Sequence, residues 1–251
     1  MHERFDAPPK LLHDPIAPLL AGPVALDRRT DALRLHVVLR TRFAEDRLRA
    51  AVERGVEQFV VLGAGFETFA YRQPLWTKSL RIFEVDQTAT QTAKRERLAQ
   101  AGLPIPPNLR FVSLDLTAGP LVSGLTAHGF EPSRAAFFSW LGVTMYLPRP
   151  SVDAVFRAIA GCAPGSEVAF SFAPARAAAT SAQLRSAAAG ERWQTFMQPA
   201  ELGTTLSAFG FSAVEFLTPE RAARAYGLDA RSDGLVRPGR TSVALASVSS
   251  V

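Results

Sequence analysis

The sequence predicts a single α/β domain with a mainly parallel sheet, and two observations support this fold class. Apolar segments of strand length alternate with helical segments from residue 58 to residue 172, which is typical of consecutive β-α-β units. The first strand runs into a Gly63-Ala64-Gly65 turn, and the second strand ends at Asp86, about 20 positions beyond Gly65. In α/β folds this spacing of turn and acid holds the ribose of a nucleoside.

The predicted elements follow in chain order. Residues 6–54 show a helical pattern, which prolines interrupt before a longer helix from Asp27 to Glu53. The strands are predicted at Gln58–Leu62, Leu80–Val85, Leu109–Val112, Ala135–Trp140, Glu167–Phe172, Phe211–Leu217 and Ser242–Val248. Helices are predicted at Thr68–Arg72, Ala89–Ala101, Leu121–His128 and Ser151–Cys162. We therefore divide residues 1–251 into an N-terminal helical cap (1–54), a core (55–173), a helical lid insertion (174–210) and closing strands (211–251).

Composition narrows the function classes. The net charge is +5 and the isoelectric point is about 10.0, but the arginines are scattered and lysine occurs only at Lys10, Lys78 and Lys94. Without a basic cluster, nucleic acid is not a predicted partner. No apolar run reaches the ~18 residues of a membrane span, and the N-terminus lacks a signal-peptide core, so we expect a cytoplasmic protein without membrane contact. The single cysteine, Cys162, is expected to pack in the core.

The residues after the glycine turn argue against a pyrophosphate. The third glycine of a dinucleotide fingerprint would fall at Thr68, and Glu67 places a carboxylate where a phosphate would be repelled. S-adenosylmethionine carries no phosphate, and its ammonium and sulfonium cations are favoured by acidic groups. The pattern therefore favours S-adenosylmethionine over NAD. A turn whose glycines serve only steric needs remains the alternative.

Several longer segments carry a family resemblance. They are Arg40-Thr-Arg42-Phe, Val61 to Arg72, Phe83-Glu-Val-Asp86 with Ala89 to Arg95, Phe111 to Leu116, Phe137 to Leu147, and Gly190-Glu-Arg-Trp193. With these segments the chain resembles the leucine carboxyl methyltransferase family, in its bacterial branch of S-adenosylmethionine-dependent O-methyltransferases. The resemblance implies the class I methyltransferase fold, a Rossmann-like seven-stranded sheet with an N-terminal helical cap and a helical lid. It also implies S-adenosylmethionine as the methyl donor and S-adenosylhomocysteine as the product.

The resemblance implies roles for an arginine and an acid. Arg40, with Arg42 as the second candidate, would hold the methionine carboxylate of the cofactor through two parallel hydrogen bonds from its guanidinium group. Asp86 would accept hydrogen bonds from the ribose hydroxyls. The alternatives are a solvated helix arginine for Arg40 and a helix N-cap for Asp86. Glu84 is expected to face away from Asp86.

Further cofactor contacts are implied at the two loops that flank the ribose. The backbone of Gly63, Ala64 and Gly65 would approach the amino acid end of the cofactor, because side chains there would fill the space that the ligand needs. Asp115 would accept from the adenine amino group, and the Leu116 amide would donate to a ring nitrogen. The alternative for Asp115 is a turn former.

The chain departs from the family pattern at three positions. Glu67 stands where the family usually has aspartate, and Phe69 stands where relatives commonly have arginine. A glutamate that some relatives carry after the fourth strand is replaced by Leu141, so one expected cofactor contact is absent.

The acceptor site is predicted near the carboxyl end of the fourth strand. We expect Tyr146 and Trp193, with Met145 and Phe196, to line an apolar pocket, and His13 is the one histidine that we would test there. The predicted reaction is in-line transfer of a methyl group, without a metal, to a small-molecule carboxylate or hydroxyl. A protein carboxyl methyltransferase and a catalytically inactive cofactor-binding scaffold remain alternatives. The acceptor, any general base and the oligomeric state are left open.

Overall fold

The computed structural model describes residues 6, 9–21, 31–174, 190, 192–231 and 238–249. Its centre is a seven-stranded sheet in the order β3-β2-β1-β4-β5-β7-β6. The strands are β1 (Gln58–Leu62), β2 (Arg81–Asp86), β3 (Leu109–Ser113), β4 (Ala136–Trp140), β5 (Glu167–Ser171), β6 (Phe211–Phe216) and β7 (Val243–Val248). The predicted seven-stranded α/β sheet is confirmed, because each of the seven predicted strands overlaps one of these.

The strand directions place a crevice at one edge of the sheet. Strands β1 to β5 are parallel, whereas β7 is antiparallel to both β5 and β6. The chain proceeds outward from β1 to β3 and then returns to β4 on the other side of β1. At such a reversal the loops after β1 and β4 leave in opposite directions, and ligands bind between them.

Helices cover both faces of the sheet. Their bounds are α1 (Ala17–Ala21), α2 (Asp31–Glu53), α3 (Phe69–Arg72), α4 (Thr88–Gln100), α5 (Leu121–Thr126), α6 (Arg149–Ala160), α7 (Pro199–Phe209) and α8 (Pro219–Tyr226). On one face, Leu39 and Phe43 of α2 belong to the same buried cluster as Phe59 of β1. On the other face, Phe156 of α6 packs edge-on against Trp140 of β4. A strand that is covered on both faces consists of nearly continuous apolar residues. This pattern allowed β4 to be predicted from the sequence.

Helix ends follow local sequence signals. Pro150 lies in the first turn of α6, where a missing N–H costs nothing. Helix α7 ends at Gly210, whose φ of +109° lies in the left-handed region that favours glycine. No helix in the described ranges has the length and apolar character needed to cross a membrane.

Parts of the predicted cap and lid lie outside the described residues, namely 1–5, 7–8 and 22–30 of the cap and 175–189 and 191 of the lid. Within the predicted lid, residues 192–198 form no helix, and α7 packs against β6 and α6. The backbone amides of Gln194 and Thr195 donate to the Met145 carbonyl, so this segment lies along the loop after β4. The division into cap, core, lid and closing strands stays a prediction.

Candidate functional site

The glycine turn after β1 packs directly against the loop after β4. Gly63 has a φ of +66°, and a Cβ atom on it would lie 2.4 Å from Cγ2 of Val143. The physical reason predicted for this glycine was therefore wrong: the space in front of it is filled by Val143 and is not open to a ligand. Gly65, with a φ of +47°, meets no atom closer than 4.0 Å and faces open space. Gly65 and the Ala64 backbone remain predicted cofactor contacts, and Gly63 lines the turn from behind.

Asp86 joins the carboxyl ends of β1 and β2. Its Oδ2 accepts a hydrogen bond from the Gly65 amide at 2.6 Å, and its Oδ1 accepts from the Gln87 amide at 2.7 Å. The N-cap of α4 is Gln87, so the N-cap alternative for Asp86 is wrong. A carboxylate offers about four lone-pair sites. The half-buried Asp86 therefore holds the turn and keeps acceptor capacity for ribose hydroxyls.

Arg40 lies at the opposite end of the crevice, against the loop after β4. A Cβ atom on Gly142 would lie 2.6 Å from one terminal nitrogen of Arg40, so the glycine is what admits the guanidinium. Burial lowers the pKa of Arg40, while the charge on Glu67 opposes this shift. Its Nε is buried without a hydrogen-bond partner, and the described residues provide no ion pair for its terminal nitrogens. The solvated-helix alternative does not describe this side chain.

Glu67 caps α3 and belongs to a charge cluster around Arg72. Its Oε1 accepts from the amides of Thr68 at 2.8 Å and Phe69 at 3.1 Å. Both terminal nitrogens of Arg72 hydrogen-bond to Glu45, and its Nε lies 3.7 Å from Asp14. Asp14 also accepts from the Thr68 hydroxyl. The N-terminal segment is thereby joined to the glycine turn.

A second buried charge pair lies beneath the end of β2. Glu84 and Lys94 are each 1% exposed, and Lys94 Nζ lies 2.6 Å from Glu84 Oε2. The expectation that Glu84 faces away from Asp86 was wrong, because residues two apart on a strand share a face. Burial raises the pKa of Glu84, and its proximity to Asp86 contributes to that rise.

The loop after β3 supplies the residues predicted to meet the adenine. Asp115 Oδ1 accepts from the backbone amide of Thr117 at 2.8 Å and from its hydroxyl at 2.7 Å, and these bonds lower the pKa of Asp115. The turn-forming role is therefore present, and a second carboxylate oxygen remains. Among the described residues the half-buried Leu116 has no acceptor for its amide. The Leu114 amide donates to the Asp86 carbonyl and holds this loop beside the ribose position.

The acceptor-pocket residues come from the loop after β4 and from residues 192–198 of the predicted lid. Tyr146 lies in a single 3₁₀ turn, Thr144–Tyr146, close enough for its charge to influence the pKa of Arg40. The Trp193 ring lies 6.3 Å from the Phe196 ring, and its buried Nε1 has no acceptor among the described residues. Tyr146 and Trp193 are both half-buried, whereas Met145 is fully buried.

The histidines differ in their surroundings. His13 is exposed beside Asp14 on the N-terminal segment. His36 lies one helical turn before Arg40, and its Nδ1 is 3.3 Å from the Ser242 hydroxyl. Burial, with the charges of Arg40 and Arg240, lowers the pKa of His36 to about 3. The described residues contain no cluster of three or more metal-ligating side chains.

Sequence reasoning missed several residues that shape the site: Asp14, Glu45, Gly142 and Val143. The partners of Asp14 and Glu45 lie 54 and 27 positions away, so no local pattern could reveal them. Gly142 carried a weak signal, since a glycine after a buried strand often marks a close approach.

Comparison with known proteins decides the family. The family model for leucine carboxyl methyltransferase matches residues 1–160. The chain belongs to the leucine carboxyl methyltransferase family. This match confirms the predicted family. The predicted cofactor is confirmed as well, because the relatives described next are named as S-adenosyl-L-methionine-dependent methyltransferases.

Two relatives illustrate the similarity. A Bacillus subtilis (strain 168) protein named "Putative S-adenosyl-L-methionine-dependent methyltransferase YktD" is 33% identical over 190 residues, which are 72% of this chain and 62% of that protein. A Mycobacterium avium (strain 104) protein, also named as an S-adenosyl-L-methionine-dependent methyltransferase, is 34% identical over 61% of this chain and 49% of its own length. The chain thus spans between about half and two thirds of the length of these family members.

Solved structures confirm the class I methyltransferase fold. A methyltransferase structure from Thermobifida fusca YX aligns with a TM-score of 0.61 and 18% identity, covering 93% of each chain. The magnesium protoporphyrin IX methyltransferase of Synechocystis PCC 6803, solved with bound S-adenosylhomocysteine, aligns with a TM-score of 0.54 and 14% identity over 92% of this chain and 91% of that one. At these identities the comparison shows only that this chain shares its fold with these structures.

Proposed function

We propose that this member of the leucine carboxyl methyltransferase family is an S-adenosylmethionine-dependent O-methyltransferase that acts on a small-molecule carboxylate or hydroxyl. The observation that carries the proposal is Arg40, a guanidinium at the carboxyl edge of the sheet with a buried Nε and no hydrogen-bond acceptor among the residues that the structure describes. A buried cation without a partner is costly, so its presence there indicates an anionic ligand group. The methionine carboxylate of S-adenosylmethionine is such a group.

Different residues of this chain would bind different parts of the cofactor. Arg40 would bind the methionine carboxylate, and Asp86 the ribose hydroxyls, while it continues to hold Gly65. Asp115 and the Leu116 amide would bind the adenine edge, whereas the Ala64–Gly65 backbone at the turn would meet the amino acid end. When bound, S-adenosylmethionine supplies a methyl group on an activated sulfonium leaving group.

The protein's part in transfer is to align the acceptor oxygen with the methyl carbon and to exclude water. Tyr146 and Trp193 would line that approach, and the Trp193 Nε1–H, which has no acceptor in the part of the chain that the structure describes, would donate to an acceptor oxygen. His13, exposed on the N-terminal segment, is the remaining candidate at this pocket.

Two features support a carboxylate acceptor over a hydroxyl. A carboxylate is ionised near pH 7 and needs no base, whereas a hydroxyl does. His36, the histidine next to Arg40, has a pKa lowered to about 3 and is a weak base. The family whose model matches is named for carboxyl methylation. A protein carboxyl group as acceptor is therefore the second candidate, and a cofactor-binding scaffold without catalysis is the third.

Partners and location belong to the same proposal. The scattered arginines leave no basic stripe to follow a phosphate backbone, and we propose a cytoplasmic enzyme that does not bind nucleic acid or membranes.

Calorimetric titration tests the proposed function. We expect S-adenosylmethionine and S-adenosylhomocysteine to bind, and NAD not to bind. Arg40→Met and Asp86→Asn should each weaken binding at least 10-fold, because each removes a charge-assisted hydrogen bond. Incubation with labelled S-adenosylmethionine and carboxylate or hydroxyl acceptors then separates an enzyme from a scaffold. Absence of binding to the unchanged protein would contradict the proposal.

A further inference from the structure

The crevice between α2 and the sheet carries opposite charges that do not meet. A shallow cleft, partly open to solvent, is lined by Thr41 and Glu45 of α2, by Glu67, and by Ser139 and Leu141 at the end of β4. Arg40 precedes Thr41 on α2. Glu67 is the acid whose charge most influences Arg40, yet these two described residues form no direct ion pair. A cation and an anion held apart in this way are complementary to a zwitterion.

Glu67 has one oxygen engaged and one available. Oε1 accepts from two amides of α3 and lies 3.8 Å from Arg72. Oε2 makes no hydrogen bond within the described ranges, and the Glu67 side chain forms no further hydrogen bond or ion pair there. Arg72 is shared, because both of its terminal nitrogens are hydrogen-bonded to Glu45 while one of them lies 3.8 Å from Glu67 Oε1.

Among the described residues, Glu45 and Glu67 share one cation at the edge of the cleft. Both carboxylates lie within 4 Å of the guanidinium of Arg72. The charges of Asp14 and Glu67 add to the burial that raises the pKa of Glu45. One more positive group would therefore be stabilised here, and a compact ammonium fits beside a single carboxylate oxygen. The neighbouring Leu141 offers no competing polar atom.

We infer that Glu67 binds the α-ammonium group of the cofactor's methionyl end while Arg40 binds its α-carboxylate, so that the cleft recognises a free amino acid zwitterion. The inference rests on the proposed function and assigns a contact to a residue outside the predicted site. Leu141 stands where some relatives carry a glutamate that contacts the cofactor. In this chain Glu67, at the glycine turn, would supply that contact.

Binding of two nucleosides that differ in the amino acid part tests this assignment. S-adenosylhomocysteine carries both the ammonium and the carboxylate, whereas 5′-methylthioadenosine carries neither. Both are titrated calorimetrically into the unchanged protein and into Glu67→Gln, which keeps an Oε1 acceptor for the α3 amides. Glu53→Gln, at an exposed position on α2, removes the same charge away from the cleft and serves as the control.

We expect Glu67→Gln to weaken S-adenosylhomocysteine about 10- to 100-fold and to leave 5′-methylthioadenosine within 2-fold, because one charge-assisted hydrogen bond is lost. In the Glu67→Gln background, Leu141→Glu returns a carboxylate to the cleft, and affinity for S-adenosylhomocysteine should rise again. If Glu67→Gln left the affinity for S-adenosylhomocysteine unchanged, or lowered the affinity for both nucleosides equally, the inference would be wrong. The proposed function would still stand. If the unchanged protein bound neither nucleoside, the proposed function would fail and the inference with it.

Discussion

His36 and Arg40 lie one turn apart on α2, and at the scale of single residues they show how burial and charge act together. Removal from water and the neighbouring charges of Arg40 and Arg240 lower the pKa of His36 to about 3. Burial, assisted by the charge of Arg40, thus keeps His36 neutral. The sequence alone marked Arg40 as a candidate and gave no sign of the burial of His36.

The free energy of unfolding should depend on pH through the protonation of His36. An unfolded histidine binds a proton below about pH 6.5, whereas folded His36 does not until about pH 3. Stability from His36 is therefore fully present above pH 6.5 and is lost as the pH falls towards 3. Urea unfolding between pH 4 and pH 6 should show a slope up to about 1.4 kcal/mol per pH unit steeper in the unchanged protein than in His36→Gln. Equal slopes would contradict the buried neutral histidine.

The two glycines of the turn should respond differently to substitution. Gly63→Ala combines a left-handed backbone with a clash against Val143 and should cost about 2–4 kcal/mol of unfolding free energy. Gly65→Ala, which meets open space, should cost about 1–2 kcal/mol. Adding Val143→Ala should recover part of the Gly63→Ala loss, as a double-mutant cycle by chemical denaturation would measure. Additive effects of the two substitutions would show that the turn and the loop do not touch.

At the scale of elements, β2 and α4 are joined by the Glu84–Lys94 pair beneath the cofactor crevice. Gln91 of α4 supports the same contact by donating to the Glu84 and Val112 carbonyls at 3.0 and 2.9 Å. The end of β2, and with it Asp86, is thereby fixed relative to β3. The position of Asp86, the acid proposed to bind the ribose, therefore depends on the buried residues Glu84, Gln91 and Lys94.

Breaking this buried pair should be far more damaging than replacing it. Lys94→Met removes the counter-ion of Glu84, so the buried carboxyl group must take up a proton that the unfolded chain does not bind at pH 7, and the unfolding free energy should fall by about 3–5 kcal/mol. The double variant Glu84→Leu/Lys94→Met removes both charges and should lie within about 1–2 kcal/mol of the unchanged protein. Denaturant unfolding measures both. A double variant as unstable as the single one would show that packing, and not the unpaired charge, sets the cost.

The elements also show which parts of the molecule could be predicted. Strand positions, the glycine turn and the acid ending β2 could be predicted because short-range apolar patterns and turn residues encode them. The contacts of Asp14 with Thr68, of Glu45 with Arg72 and of Val143 with Gly63 could not, since they join residues far apart in sequence. The misplacement of Glu84 had a different origin, because strand alternation puts it on the same face as Asp86.

At the scale of the whole molecule, the strand order β3-β2-β1-β4-β5-β7-β6 brings the loops after β1, β2, β3 and β4 to one edge. Residues from 11 to 21 then run from α2, through Asp14 at the glycine turn, to α4, where Arg97 donates to the Leu20 carbonyl at 2.8 Å. The site is thus assembled from segments distributed over most of the chain, and its ligand should stabilise the whole fold.

Ligand binding should therefore raise the thermal midpoint. At a concentration of S-adenosylhomocysteine 100-fold above its dissociation constant, stabilisation should reach about 2.7 kcal/mol, or about 5–11 °C for a chain of this size. Differential scanning fluorimetry measures the shift, with Asp86→Asn as the control that should respond much less at the same concentration. An equal shift in Asp86→Asn would place the ligand away from β2.

The central claim is that a phosphate-free nucleoside lies across the ends of β1 and β2, held by Asp86 at its ribose and by Arg40 at its carboxylate. A crystal structure with S-adenosylhomocysteine tests this most directly. We expect both ribose hydroxyls within hydrogen-bond distance of Asp86 and the carboxylate on the Arg40 guanidinium. Density for the ligand elsewhere, with Arg40 paired instead to a protein acid, would contradict the account.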